Sequence, residues 1–179
     1  MAIKPTIYKF KLELSDTDRN YYDSLNLTLA LHPSETLQRM MVRVLAYCIN
    51  AEPTLQFTRG LSDSDEPAIW SHSLDGQLLH WIDVGEPSSS RIKKATRQSV
   101  NTSIYSFNSR SETWWDQQRT ACEKLKLSVF RFSPDQIEAL AQLCQRTMNL
   151  AVMISDQSAY IATELGECEV SWTTLQRTD

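Results

Sequence analysis

Asp75-Gly76-Gln77-Leu78-Leu79-His80-Trp81-Ile82-Asp83-Val84-Gly85 is a turn signal followed by an apolar run with one carboxylate inside it. Asp-Gly between apolar runs is a strong hairpin signature. The run itself is apolar enough for a central strand. Asp83 therefore needs a cation, a metal or hydrogen bonds, because an unpartnered buried carboxylate is expensive. The preceding strand reads from Pro67 to about His72. If Asp75 and Gly76 are the two loop residues, Trp70 lies opposite Trp81, Ala68 opposite Asp83 and Glu66 opposite Gly85. Glu66 and Asp83 then become diagonal neighbours on one sheet face, their Cβ atoms about 7 Å apart. Two such carboxylates, with only Ala68 and Gly85 between them, suit a divalent cation held by oxygen ligands. A loop with an odd number of residues would turn Glu66 to the other face.

Gly85-Glu86-Pro87 breaks the strand, and a helix follows over about 88–100. Arg91, Lys94 and Gln98 fall at i, i+3 and i+7, on one helix face. An ammonium from Lys94 near the acids either forms a structural ion pair with Asp83 or stabilises charge on a phosphate. Arg91, Lys93 and Arg97 read as a solvated basic face or, alternatively, as a nucleic-acid patch. Upstream, Leu37, Met40, Met41, Val44, Leu45, Cys48 and Ile49 form the stripe of a core helix over 33–51, capped at His32 or Ser34. Glu35 would sit in its first turn, as a dipole stabiliser or a further member of the site.

Further out, Tyr8, Phe10, Leu12 and Leu14 alternate with polar residues, as do Leu25, Leu27, Leu29 and Leu31, giving an N-terminal hairpin that turns between Ser15 and Asn20. A short strand is expected over 55–58 and another over 103–107. Ser109 and Glu112 read as a capping box for a helix carrying Trp114 and Trp115. A strand over 127–132, a helix opened by Ser133-Pro134 and two or three alternating strands complete the chain. The class is mixed α/β, with antiparallel pairs at both ends and a βαβ-like middle.

The 179 residues suit one domain. Eighteen basic against 22 acidic residues give a net charge of −4, so no global positive field advertises nucleic acid. Cys48, Cys122, Cys144 and Cys168 show no metal spacing and read as reduced core thiols, and the histidines are scattered. The opening Met1 to Pro5 lacks an apolar leader, and no run is long enough to span a bilayer. A cytoplasmic location without membrane contact is expected.

Six segments carry a family resemblance: His32-Pro33-Ser34-Glu35-Thr36, Phe57-Thr58-Arg59-Gly60, Asp65-Glu66-Pro67, Trp81-Ile82-Asp83-Val84-Gly85, Arg91-Ile92-Lys93-Lys94-Ala95 and Asn108-Ser109-Arg110. They resemble the bacterial YaeQ family, in order and over essentially the whole chain. The resemblance implies a divergent PD-(D/E)XK nuclease-like fold: an αβββαβ core with a mixed sheet over 32–108, an N-terminal hairpin over 1–31, and an α/β extension with antiparallel strands over 109–179, all in a single domain. It further implies magnesium or manganese bound by Glu66 (with Asp65 as the lesser choice) and Asp83, and Glu35 as the helix glutamate. The superfamily lysine two positions after the second acid is replaced by Gly85, and Glu66-Pro67 reverses the usual Pro-Asp order. Lys94, with Lys93 as runner-up, would be the displaced lysine. DNA or RNA would then be the substrate, contacted by Arg91, Lys93 and Gln98. The alternative is an inactive nuclease-fold protein that binds nucleic acid or a protein partner.

Overall fold

The computed structural model describes residues 4–178. Part of the leader reading, over residues 1–3, lies outside them. In chain order the elements are β1 (Thr6–Asp16), β2 (Tyr21–Leu31), α1 (Leu37–Ile49), β3 (Gln56–Phe57), β4 (Ile69–His72), β5 (Leu78–Val84), α2 (Ser89–Gln98), β6 (Asn101–Ser106), α3 (Ser111–Cys122), β7 (Ser128–Phe132), α4 (Pro134–Gln142), β8 (Thr147–Ser155), β9 (Ser158–Thr163) and β10 (Gly166–Gln176). A 3-10 turn occupies Gly60–Ser62. The chain is a mixed α+β protein divided into two compact units, residues 1–49 with 133–172 and residues 50–132 with 173–179.

The first unit has strand order β2-β1-β8-β9-β10. β1 pairs antiparallel with β2 and parallel with β8. The alternation seen in the sequence sends Phe10, Leu12, Leu14, Leu27 and Leu29 inward, joined by Met148, Leu150, Val152 and Ile154. α1 buries Met40, Met41, Val44, Leu45 and Cys48 and packs against α4, whose Ile137, Leu140 and Ala141 are also buried. The expected start of α1 is corrected. Thr36 is the cap, its hydroxyl accepting from the Arg39 N–H at 3.1 Å. His32 and Ser34 instead form a turn ahead of the helix, with the Ser34 N–H donating to His32 Nδ1 at 3.1 Å and the Glu35 N–H to the His32 carbonyl at 2.8 Å. Glu35 thus precedes the cap and lies outside the first turn.

In the second unit the end of β10 is followed by β7-β6-β5-β4-β3. β5, β6 and β7 run parallel, while β3, β4 and β5 are antiparallel neighbours. Ile92, Ile104, Trp114, Trp115, Cys122, Leu127 and Val129 form a buried cluster. Both tryptophans are buried, and the Trp114 indole donates to the Pro87 carbonyl at 2.8 Å. The capping box at Ser109 is corrected: α3 starts at Ser111 after Arg110, without a side-chain cap. The Ser111 hydroxyl is engaged by Ser106 and by Arg131.

The hairpin that decides the fold also departs from expectation. Its tip holds three residues, Leu74, Asp75 and Gly76, closed by the Ser73 N–H donating to the Gln77 carbonyl at 2.9 Å. Gly76 takes a positive φ of 88°, where a side chain would be strained. His72 pairs with Leu78 but Ser71 pairs with His80, so Leu79 is an extra residue on β5 and makes a bulge. The odd tip and the bulge cancel. Beyond them Trp70 faces Trp81 and Ile69 faces Ile82, in the expected register. The paired strand nevertheless begins at Ile69 and not at Pro67, and Glu66 lies in the loop before it.

Candidate functional site

Asp83 lies near the end of β5, and its residue is 5 % exposed. Gly85 then turns the chain with a φ of 103°, which explains why no lysine stands two positions after the acid: that backbone conformation strains any side chain. Ser88 caps α2, its hydroxyl accepting from the Arg91 N–H at 3.3 Å. This geometry sets the Arg91 guanidinium across the Asp83 carboxylate in a two-pronged bond, Nε to Oδ2 at 2.8 Å and Nη2 to Oδ1 at 3.1 Å. The planar fork of arginine matches a carboxylate in this way, which an ammonium does not.

Arg91 is clamped further. Its Nη1 donates to the Ser64 carbonyl at 2.6 Å and its Nη2 to the Glu66 carbonyl at 2.8 Å. Its guanidinium carbon sits 5.6 Å from the centre of the Trp81 ring, a cation–π contact. The Trp81 indole N–H is buried and has no hydrogen-bond partner among the described residues.

The other expected members have separate partners. The Glu66 carboxylate accepts from the Arg59 main-chain N–H at 3.0 Å and from its guanidinium at 3.2 Å. Arg59 also reaches Asp63 at 2.9 Å. Lys94 reaches Asp65 at 2.6 Å, and that hydrogen bond and charge hold the exposed Asp65 carboxyl below its ordinary range. Arg91 and Lys94 therefore share a helix face, as their spacing requires, and that face is docked on the acidic loop over 63–66. Lys93, Arg97 and Gln98 are exposed. Glu35 belongs to the other unit, where Arg39 and Arg43 bind its carboxylate.

Sequence reasoning singled out Asp83 and Arg91 but missed that they bind each other. It missed Arg59 and Arg43 as the partners of Glu66 and Glu35. For Arg91 the available signal was its position three residues after a serine cap, at the end of the strand that carries Asp83.

These donors define a test for a divalent cation. Both Asp83 oxygens are taken by Arg91 and both Glu66 oxygens by Arg59. Among the described residues no three His, Cys, Asp or Glu side chains converge on one point. With Arg91 in this position, the residues do not fit a magnesium ion.

The family comparison adds identity. The YaeQ protein family model matches residues 1–172. This chain belongs to the YaeQ family. It is 39% identical over 179 residues to the uncharacterized YaeQ protein of Salmonella typhi and 38% identical to that of Escherichia coli strain K12, with 99% of each chain covered. The crystal structure of YaeQ protein from Xanthomonas axonopodis pv. citri superposes with a TM-score of 0.93 at 36% identity, covering 97% of this chain and 99% of that one. The structure from Pseudomonas syringae gives 0.92 at 40% identity, with 96% of each chain covered. Among the described residues no helix is long and apolar enough to cross a membrane.

His80, on the same strand as Asp83, has a pH consequence. Burial pushes its imidazole pKa down, and its Nε2 lies 2.8 Å from the Ser103 hydroxyl. Once pH falls below the unfolded imidazole value of about 6.5, the unfolded state binds the proton more readily, so stability falls with pH until the lowered folded value is passed. His80→Gln is expected to flatten urea-derived stability across that window. An unchanged slope would assign the loss to other groups.

Proposed function

We propose that this YaeQ-family chain is a catalytically silent protein of nuclease-like ancestry that binds nucleic acid through the outer face of α2. The observation that carries this reading is the pairing of the acids: Asp83 is held by Arg91, Glu66 by Arg59, and Lys94 is engaged with Asp65. A site whose acids are neutralised by arginines holds its loop and helix together. Lys93, Arg97 and Gln98 remain exposed on α2 for phosphate contact. The chain order α1-β3-β4-β5-α2-β6 is consistent with the ancestry.

The test uses fluorescence anisotropy with labelled single- and double-stranded DNA and RNA, with and without magnesium or manganese. Binding without cleavage is expected. For single strands, log affinity should fall with log salt at a slope of about −1.4, for two cationic contacts. Lys93→Ala/Arg97→Ala should abolish that dependence. Absence of binding at low salt would remove this reading.

The second reading is a magnesium- or manganese-dependent phosphodiesterase with Glu66 and Asp83 as metal ligands and Lys94 stabilising charge. It needs Arg91 to leave Asp83 and Arg59 to leave Glu66. One observation favours it: the Arg91 side chain is 31% exposed. Metal-dependent cleavage by the parent chain that is lost in Asp83→Ala would establish it in place of the first.

A further inference from the structure

The outward face of the first unit carries an arrangement that the acid site does not use. Lys9 of β1 lies opposite Thr28 of β2 on one side and opposite Thr147 of β8 on the other. Lys11 lies opposite Asn26 and Asn149 in the same way. Two rows therefore cross three strands, one a lysine between two hydroxyls and the next a lysine between two carboxamides. Between these rows Phe10, Leu27 and Met148 are buried, so their side chains point to the other face and the polar six are exposed. Together they line a half-open cavity of about 340 Å³.

The electrostatics of this cavity are unbalanced. Neither lysine has a carboxylate within 4 Å among the described residues. Glu13, the next outward residue on β1, accepts from the Ser24 hydroxyl at 2.5 Å. Glu164 at the cavity rim accepts from the Asn149 amide at 2.6 Å and from its main-chain N–H at 3.1 Å. That contact orients the Asn149 side chain, and the Glu164 carboxylate keeps its charge, which the two lysines outnumber. Two ammonium groups on one strand face, about 7 Å apart at their bases, can converge on one anion. The cavity volume falls at the small end of small-molecule sites.

We propose that this platform binds a phosphorylated, hydroxyl-rich small molecule of the sugar phosphate or mononucleotide class. Lys9 and Lys11 hold the phosphate. Thr28, Thr147, Asn26 and Asn149 exchange hydrogen bonds with the hydroxyls. The proposal is independent of the acid site on β5 and stands whichever reading of that site survives.

The test is isothermal titration calorimetry of the full chain with ribose 5-phosphate, inorganic phosphate and ribose as probes. Ribose 5-phosphate should bind saturably, inorganic phosphate more weakly, and ribose without measurable heat. Lys9→Met/Lys11→Met keeps the aliphatic stems and removes both charges; it should weaken ribose 5-phosphate at least about tenfold. Circular dichroism confirms that the double variant is folded. The proposal is overturned if neither phosphate gives saturable heat up to millimolar concentration, or if the folded double variant binds as well as its parent. It is also overturned if a short oligonucleotide binds through Lys9 and Lys11 while ribose 5-phosphate does not.

Discussion

Glu35→Ala is expected to destabilise the chain by about 4 kcal/mol, the scale for removing one partner of a buried ion pair. The Glu35 side chain is 2% exposed and that of Arg43 is 5%. Arg43 grips the carboxylate with both prongs, Nε to Oε2 at 2.9 Å and Nη2 to Oε1 at 2.8 Å, and Arg39 joins from the same helix. Burial already pushes the Arg43 pKa down, and Glu35 is the group that opposes this. Alanine would leave the guanidinium buried without its carboxylate. For a chain of this length the loss corresponds to a Tm fall of roughly 8–16 °C. Removing both partners, as Glu35→Ala/Arg43→Met, should cost less than the two single changes added together. Thermal unfolding followed by circular dichroism measures each. A Glu35→Ala protein that melts with its parent would return Glu35 to a purely chemical role.

Arg91→Ala has the second-largest expected effect, a loss of about 2–3 kcal/mol. The value lies at or below the lower end for a buried pair because the arginine side chain is 31% exposed while Asp83 is 8%. The change strands the Asp83 carboxylate and frees the Ser64 and Glu66 carbonyls, so it should also loosen the loop over 63–66. Hydrogen exchange of that loop reports the local part and urea unfolding the global part. A thermodynamic cycle with Asp83→Ala should show a coupling of at least about 1 kcal/mol. Additive effects of the two changes would mean that the pair is not a clamp. The same variant bears on the second functional reading, because it opens Asp83 to a cation.

The two changes also show what was legible in the sequence. Alternation located both strands of the N-terminal hairpin, because it is a direct image of a half-buried sheet, while β5 from Leu78 to Val84 was located by its continuous apolar run after the Asp75-Gly76 turn signal. Register was recovered at Trp70 and Trp81 although the tip was misread. A bulge at Leu79 compensates an odd loop, and nothing in local composition distinguishes that from an even loop without a bulge. The cap of α1 was misplaced because His32, Ser34 and Thr36 all precede an apolar stripe, and the choice depends on backbone angles. The partner of each acid was not legible. A guanidinium on a long side chain selects its carboxylate through the turn at Gly85 and the cap at Ser88, and those set position only in three dimensions.

Neither compact unit is made from one unbroken stretch of chain. The first is completed by residues 133–172 and the second by residues 173–179, where the Gln176 amide reaches the carbonyls of Cys122, Leu125 and Leu127. On the ribosome, β1 emerges long before its parallel neighbour β8 and must wait with one edge open. A nascent chain therefore stays unfinished in both units until residues 133–178 have emerged, and a product cut short within that stretch would expose bare strand edges to aggregation.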